Sequence, residues 1–261
     1  MTHAWFPRAS CDEGCVRAER VPLWRLIFRY LLMGAVLAAL PMLFIPQTTQ
    51  MYCRMLLRCL GVRITKSGGP IRNLPGVLVV SPHISWIDVL VLTALIDGTF
   101  VAKAELTHSR GLATVARVMK VIPIDRTSLR GLPTVVDTIA ARLRAGQTVV
   151  AFPEGTTWCG LAHGSFRPAL FQAAIDAGRP VQPLRLSYRR RDGGASTAPA
   201  FVGGDTLGRS VLRMLSTPHT VAHVHVEALQ LPGEHRAELA RRCQAAIGRA
   251  SAARREHAPA A

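Results

Sequence analysis

The stretch Pro75-Gly76-Val77-Leu78-Val79-Val80-Ser81-Pro82-His83-Ile84-Ser85-Trp86-Ile87-Asp88 decides the fold. Pro75-Gly76 and Pro82 bracket the apolar run Val77–Val80, which predicts a short, fully buried strand. Residues 86–96 predict a helix, so a strand hands over to a helix through a short polar loop. The same exchange repeats toward the C-terminus. Strands are predicted at Thr99–Ala102, Val121–Ile124, Thr148–Phe152, Val181–Tyr188 and Thr220–Glu227. Helices are predicted at 105–119, at 129–145 with Gly146 as the stop, near 168–177 and over 234–250. Alternation of this kind implies an α/β fold, with a mixed or mostly parallel sheet flanked by helices. Function in such folds gathers on loops at strand ends.

Toward the N-terminus the pattern changes. Residues 1–22 mix acids and bases without a period and are expected to form a loose arm. Tyr30 to Ile45 is a run of 16 uncharged residues interrupted by Pro41. A helix of that length reaches about 24 Å, short of the roughly 30 Å hydrocarbon core. Arg25 and Arg29 precede the run and are expected to snorkel to headgroups. Met51, Met55 and Leu56 share one helical face and Arg54 and Arg58 another, the pattern of a basic interfacial helix. Residues 23–60 are therefore expected to be a membrane-associating helical hairpin, the alternative being a hairpin packed on the soluble core. The α/β domain is expected over 61–250, with a frayed tail at 251–261.

Composition narrows the partners. The chain has 261 residues, 49% of them hydrophobic, and a formal net charge of +16. That hydrophobicity excludes a disordered chain, and the lack of several long apolar runs excludes a multi-pass membrane protein. An anionic membrane surface, a phosphorylated substrate or nucleic acid would suit the charge. Nucleic acid is not expected, because aromatics for base stacking are only 6% of the chain. Lysine is confined to Lys66, Lys103 and Lys120, an Arg-for-Lys skew that GC-rich coding would produce. Cys11 and Cys15 complete no zinc pattern, so reduced thiols and no metal are expected. Cys159 is expected to be a structural thiol. The apolar run is followed by no small-x-small cleavage site, so no signal peptide is expected.

Three strand-to-loop junctions carry polar residues that a core does not need. In the first, His83 leaves a strand end and Asp88 falls in the first turn of the next helix. A carboxylate on one imidazole nitrogen fixes the tautomer and raises the basicity of the other, which can then deprotonate a hydroxyl. The spacing alone is unspecific, and Asp88 also reads as a plain helix-terminal acid. In the second, Val121-Ile122-Pro123-Ile124 ends in Asp125-Arg126, either a solvated ion pair or a guanidinium clamp for phosphate. In the third, Phe152 leads into Pro153-Glu154-Gly155-Thr156, either an ordinary turn or one whose backbone approaches a ligand.

Taken in order, His83-x-x-x-x-Asp88, Ile124-Asp125-Arg126, Phe152-Pro153-Glu154-Gly155-Thr156 and Val181-Gln182-Pro183 closely resemble the four motifs of the glycerolipid acyltransferases, the 1-acylglycerol-3-phosphate acyltransferase family. The resemblance covers about residues 75–190. It implies that His83 is the general base and that Asp88 orients it. It implies a lysolipid acceptor, with 1-acylglycerol-3-phosphate expected first, and acyl-CoA or acyl carrier protein as co-substrate with no bound cofactor. Arg126, Glu154, Gly155 and Thr156 match the acceptor-headgroup site, and Lys103 is a further phosphate contact or a surface lysine. Pro183 matches the fourth motif, tied to the acyl chain or to packing. The implied location is the cytoplasmic face of a bacterial cell membrane.

The sequence departs from the family's pattern in places. Pro82 stands where many members have Asn, and Lys120 and Pro123 replace Gly and Phe. Phe166-Arg167-Pro168-Ala169 stands where many carry a basic-x-Gly pattern. Ser85-Trp86 resembles the lyso-ornithine lipid acyltransferase branch, which keeps that acceptor open. A hydrolase is disfavoured, because no Gly-x-Ser-x-Gly elbow is present.

Overall fold

The computed structural model describes residues 7–19, 21–39, 48–70, 75–104, 121–125 and 129–256, with side chains to residue 248. The expected helix at 105–119, Pro41, Lys120 and Arg126 lie outside the described residues. Two helices come first, α1 (Leu23–Ala38) and α2 (Thr49–Cys59), followed by β1 (Val62–Gly68) and β2 (Leu78–Val80). Then come α3 (Ile87–Thr93), β3 (Thr99–Lys103), β4 (Ile122–Ile124), α4 (Leu132–Arg144), β5 (Val149–Ala151) and α5 (Phe171–Asp176). The chain continues as β6 (Val181–Arg189), α6 (Leu207–Ser216), β7 (Thr220–Val226) and α7 (Arg236–Glu256).

The strands form one seven-stranded sheet in the order β1-β7-β6-β2-β5-β3-β4. The five from β6 to β4 run parallel. β7 runs antiparallel to β6, and β1 runs parallel to β7. The expected mixed, mostly parallel α/β sheet is thus found. Period-2 alternation divides its side chains between two faces. Val79 and Val150 face a core shared with Leu57 of α2, Ile87 and Val91 of α3 and Met214 of α6. Leu78, Val80, Val149 and Ala151 face a second core with Ile139 and Leu143 of α4, Phe171 of α5 and Leu239 and Cys243 of α7. Short strands buried on both sides can be this uniformly apolar because helices cover each face.

Pro183 sits in the middle of this sheet, where a residue without an N–H is unusual. It pairs with Val80 at the last β2 position, and from Leu184 onward β6 pairs with β7. Proline therefore falls where β6 changes its ladder. There the Glu227 N–H donates to the Pro183 carbonyl (3.2 Å) and the Gln182 side chain donates to the Glu227 carbonyl (2.7 Å).

The front of the chain differs from expectation in two ways. Residues 7–19 are not a free arm: Cys11 is buried and the Arg17 N–H donates to Thr197 Oγ1 (2.9 Å). Arg29 does not snorkel. It is buried within α1, and its guanidinium donates to the Leu215 (2.8 Å) and Thr217 (2.5 Å) carbonyls at the end of α6. Gly61, at φ +73°, leaves the space that this guanidinium fills. α1 and α2 pack together through Val36, Tyr52 and Cys59. No helix among the described residues is long and apolar enough to cross a membrane. α1 nevertheless exposes Trp24 (64%), Ile27 (52%), Phe28 (61%) and Leu31 (70%). That spacing is one helical face.

Candidate active site

Val80 of β2 is paired with Ala151 of β5 on one side and Pro183 of β6 on the other. The loops that leave β2 and β5 therefore emerge side by side from the C-terminal edge of the sheet. The first carries His83 and the second carries Glu154.

His83 Nδ1 lies 2.9 Å from Asp88 Oδ2. Asp88 is fully buried, and the pair is satisfied by more than the imidazole. The same Oδ2 accepts the N–H groups of Ile84 (2.6 Å) and Ser85 (2.9 Å), and Oδ1 accepts the Tyr188 hydroxyl (2.7 Å). Four donors converge on one carboxylate, which is what a buried charge requires. Because the carboxylate occupies Nδ1, Nε2 is the ring nitrogen turned to chemistry. The imidazole stacks on Phe152 with ring centroids 4.1 Å apart, and the His83 side chain keeps 16% exposure. Burial, then the Asp88 charge, hold the Tyr188 phenol well above its ordinary value, so it remains a donor.

Glu154 takes a different place from the one expected. It is 3% exposed; Oε2 accepts the His83 N–H (2.8 Å) and Oε1 the Gly164 N–H (3.0 Å). Both oxygens are committed to main-chain donors, so the carboxylate braces the His83 loop rather than reaching for a headgroup. Burial pushes its carboxyl up to about 7; the two N–H groups oppose the rise and the nearby Asp88 charge adds to it. A third tie is the Trp158 N–H, which donates to the His83 carbonyl (2.8 Å).

Gly155 adopts φ +75°, and a Cβ there would sit 3.0 Å from the Pro7 ring. Thr156 is half-buried beside it. Lys103 is exposed at the C-terminal end of β3, on the same edge of the sheet but two strands from β2. A cavity of about 660 Å³ opens next to the site, lined by Pro82, Glu154, Phe166, Arg185 and Tyr188 among others. His83 does not line it.

The structure thus joins His83, Asp88, Glu154 and Gly155 at one pair of strand ends, with Pro183 in the neighbouring strand. Sequence reasoning missed Tyr188 and Trp158. Tyr188 stands 100 residues from Asp88 and no local pattern marks it.

Comparison with known proteins follows the same lines. Residues 63–187 match the family model described as Acyltransferase. A lyso-ornithine lipid O-acyltransferase of Pseudomonas aeruginosa is 35% identical over 170 residues, 64% of this chain and 65% of that protein. A 1-acyl-sn-glycerol-3-phosphate acyltransferase of Neisseria gonorrhoeae is 34% identical over 126 residues, 48% of this chain and 49% of that protein. The matched stretches therefore span about half to two thirds of these relatives. The crystal structure of the 1-acyl-sn-glycerophosphate (LPA) acyltransferase PlsC from Thermotoga maritima shares the fold, with a TM-score of 0.64 over 91% of this chain and 98% of that one at 17% identity. The His83–Asp88 pair lies within the stretch that matches the Acyltransferase family model.

Proposed function

We propose that this protein transfers a fatty acyl group from an acyl thioester, acyl-CoA or acyl carrier protein, to the free hydroxyl of a lysolipid. The observation that carries the reading is the His83–Asp88 pair, with Nδ1 held by a carboxylate that four donors fix in place. His83 Nε2 takes the proton of the acceptor hydroxyl as its oxygen attacks the thioester carbonyl. The C–S bond then breaks, and the proton passes from His83 to the leaving thiolate. No acyl-enzyme is required.

The acceptor is a lysolipid of one of two kinds. Lyso-ornithine lipid is favoured by the relatives of that name, whose alignments reach 64% and 77% of this chain. Lysophosphatidate is supported by the Neisseria relative and by Arg126, which follows β4 and would bring a guanidinium to a phosphate. Lys103, on the same sheet edge, is a second cation for that headgroup.

The exposed stripe Trp24, Ile27, Phe28 and Leu31 on α1, together with the +16 charge, suits docking into an anionic leaflet. We place the protein on the cytoplasmic face of a bacterial cell membrane.

The test is acyl transfer on vesicles with both lysolipids and both donors, comparing the wild type with His83→Ala, Asp88→Ala and Arg126→Ala. His83→Ala is expected to lose at least about a hundredfold in kcat. Unchanged transfer in that variant would remove the mechanism. An unchanged KM for lysophosphatidate in Arg126→Ala would remove the clamp.

A further inference from the structure

Three of the six cysteines come together at a place where the sequence shows only two. The Sγ atoms of Cys11, Cys15 and Cys159 lie within 4.8 Å of one another. Cys15 ends a short 3₁₀ turn, Glu13–Cys15, and Cys11 precedes it; Asp12 caps the turn by accepting the Gly14 N–H (2.9 Å). Cys159 arrives from the loop after β5, five residues beyond Glu154. Cys11 and Cys159 are buried, and Cys15 is half-buried at the edge of the cluster.

Burial raises the Cys159 thiol, but the Ala162 and Leu161 N–H groups and the Cys11 and Cys15 thiols outweigh it, and the net displacement is downward. Burial pushes Cys11 up to about 11, against the opposing effect of a main-chain hydrogen bond with Cys159. Three thiols packed this closely are what a soft cation completes, since it supplies the charge that lets them deprotonate. Tetrahedral Zn–S bonds of about 2.3 Å place neighbouring sulfurs about 3.8 Å apart, so the cluster needs to contract by no more than about 1 Å. A disulfide would use two of the sulfurs and leave the third unpaired. The Asp12 carboxylate, 3.8 Å from Cys15 Sγ, stands next to the fourth position.

We propose that Cys11, Cys15 and Cys159 form a three-thiolate zinc site that clamps the N-terminal segment onto the loop supporting His83. Binding replaces up to three thiol protons by one Zn²⁺ and leaves a fourth position for water or a carboxylate. The clamp bears on the catalytic loop through Trp158, next to Cys159, whose N–H holds the His83 carbonyl, and through Pro7, which rests over Gly155. The site is read by metal content, so it stands or falls independently of the acyl-transfer reading.

The test uses the full chain, kept reduced with a phosphine, stripped with chelator, loaded with Zn²⁺ and desalted. One zinc per chain is expected by elemental analysis, and Co²⁺ in its place should show thiolate-to-cobalt charge transfer and tetrahedral d–d bands. Cys11→Ser and Cys159→Ser should each weaken zinc by more than the roughly 10–100-fold that loss of an outer partner costs, while Cys53→Ser, at a buried thiol outside the cluster, should bind normally. A second measurement needs no variant: zinc should protect Cys15 of the wild type from alkylation under native conditions. Zinc lost on desalting, zinc retained undiminished in both serine variants, or Cys15 alkylated at the same rate with and without zinc would each overturn the proposal. So would a reduced protein that forms a disulfide within the cluster and takes up no metal.

Discussion

Replacing Glu154 by Gln separates two roles for this residue, a brace for the His83 loop and a contact to the acceptor headgroup. In the wild type, burial lifts the carboxyl from its ordinary value of 4.5 to about 7 in the folded chain. Between those pH values the native state binds more protons than the unfolded state, so unfolding free energy falls as pH rises through the window. At about 1.4 kcal/mol per pH unit the full fall is about 3 kcal/mol, complete above pH ~7. Gln has no such titration. Its amide presents one oxygen and one NH₂ to two donors, the N–H groups of His83 and Gly164. One of them loses its acceptor, at a cost of about 1–3 kcal/mol. Glu154→Gln should therefore be less stable than wild type near pH 5 by about that amount and should approach it near pH 8, where the wild type bears a buried charge. Denaturant melts across this range give both curves. Initial rates give the second half: displacement of the His83 loop should lower kcat about ten- to a hundredfold, with KM for the lysolipid little changed. Parallel stability curves, or a raised KM with kcat intact, would refute the brace and return the carboxylate to the headgroup.

Three further outcomes are expected. Tyr188→Phe leaves Asp88 Oδ1 without its hydroxyl donor inside a fully buried site; about 1.5–3 kcal/mol of stability should go, and kinetics should show kcat down about tenfold at constant KM. Arg29→Ala removes the donor to the Leu215 and Thr217 carbonyls; urea melts should show a loss of about 3 kcal/mol, with unchanged turnover per folded molecule. The pair Trp24→Glu and Phe28→Glu, both on the exposed face of α1, should cut co-sedimentation with anionic vesicles at least tenfold, and unaltered partitioning would reject that face as the docking surface.

What the sequence made legible follows from range. β2 and β5 were readable because both are apolar on two faces and bounded by Pro or Gly, and the dyad was readable because His83 and Asp88 are five positions apart. β1 was missed: it is a half-exposed edge strand carrying Arg63 and Lys66, so no run of apolar residues announces it. α6 was missed in a stretch rich in Gly, Ser and Pro, although Thr206 caps it by accepting the Arg209 N–H. The helix expected to end near 250 continues to Glu256. Tyr188, the third thiol and the duty of Glu154 were hidden for one reason. Each depends on a side chain or main-chain donor brought in by tertiary packing, which is not a local property of the chain.

The arginines show the same distinction from the side of charge. Counted from the sequence, the excess of bases points outward to an anionic partner. In the fold, several of those guanidinium groups donate to carbonyls at helix C-termini, where four carbonyls lack helical partners and carry the negative end of the dipole. Arg29 caps α6; Arg54 donates to the Ala94 carbonyl at the end of α3 (2.9 Å); Arg144 donates to the Asp176 carbonyl at the end of α5 (2.8 Å). Arg213 reaches the Ala198 and Ala200 carbonyls and the Asp205 carboxylate together. A lysine has the charge for these positions but not the planar fork that lets one side chain serve two or three acceptors. The preference for Arg therefore has structural use at these sites whatever its origin. Of these charges Arg29 is buried inside the fold, so the proposed membrane attachment draws on the exposed bases together with the apolar face of α1.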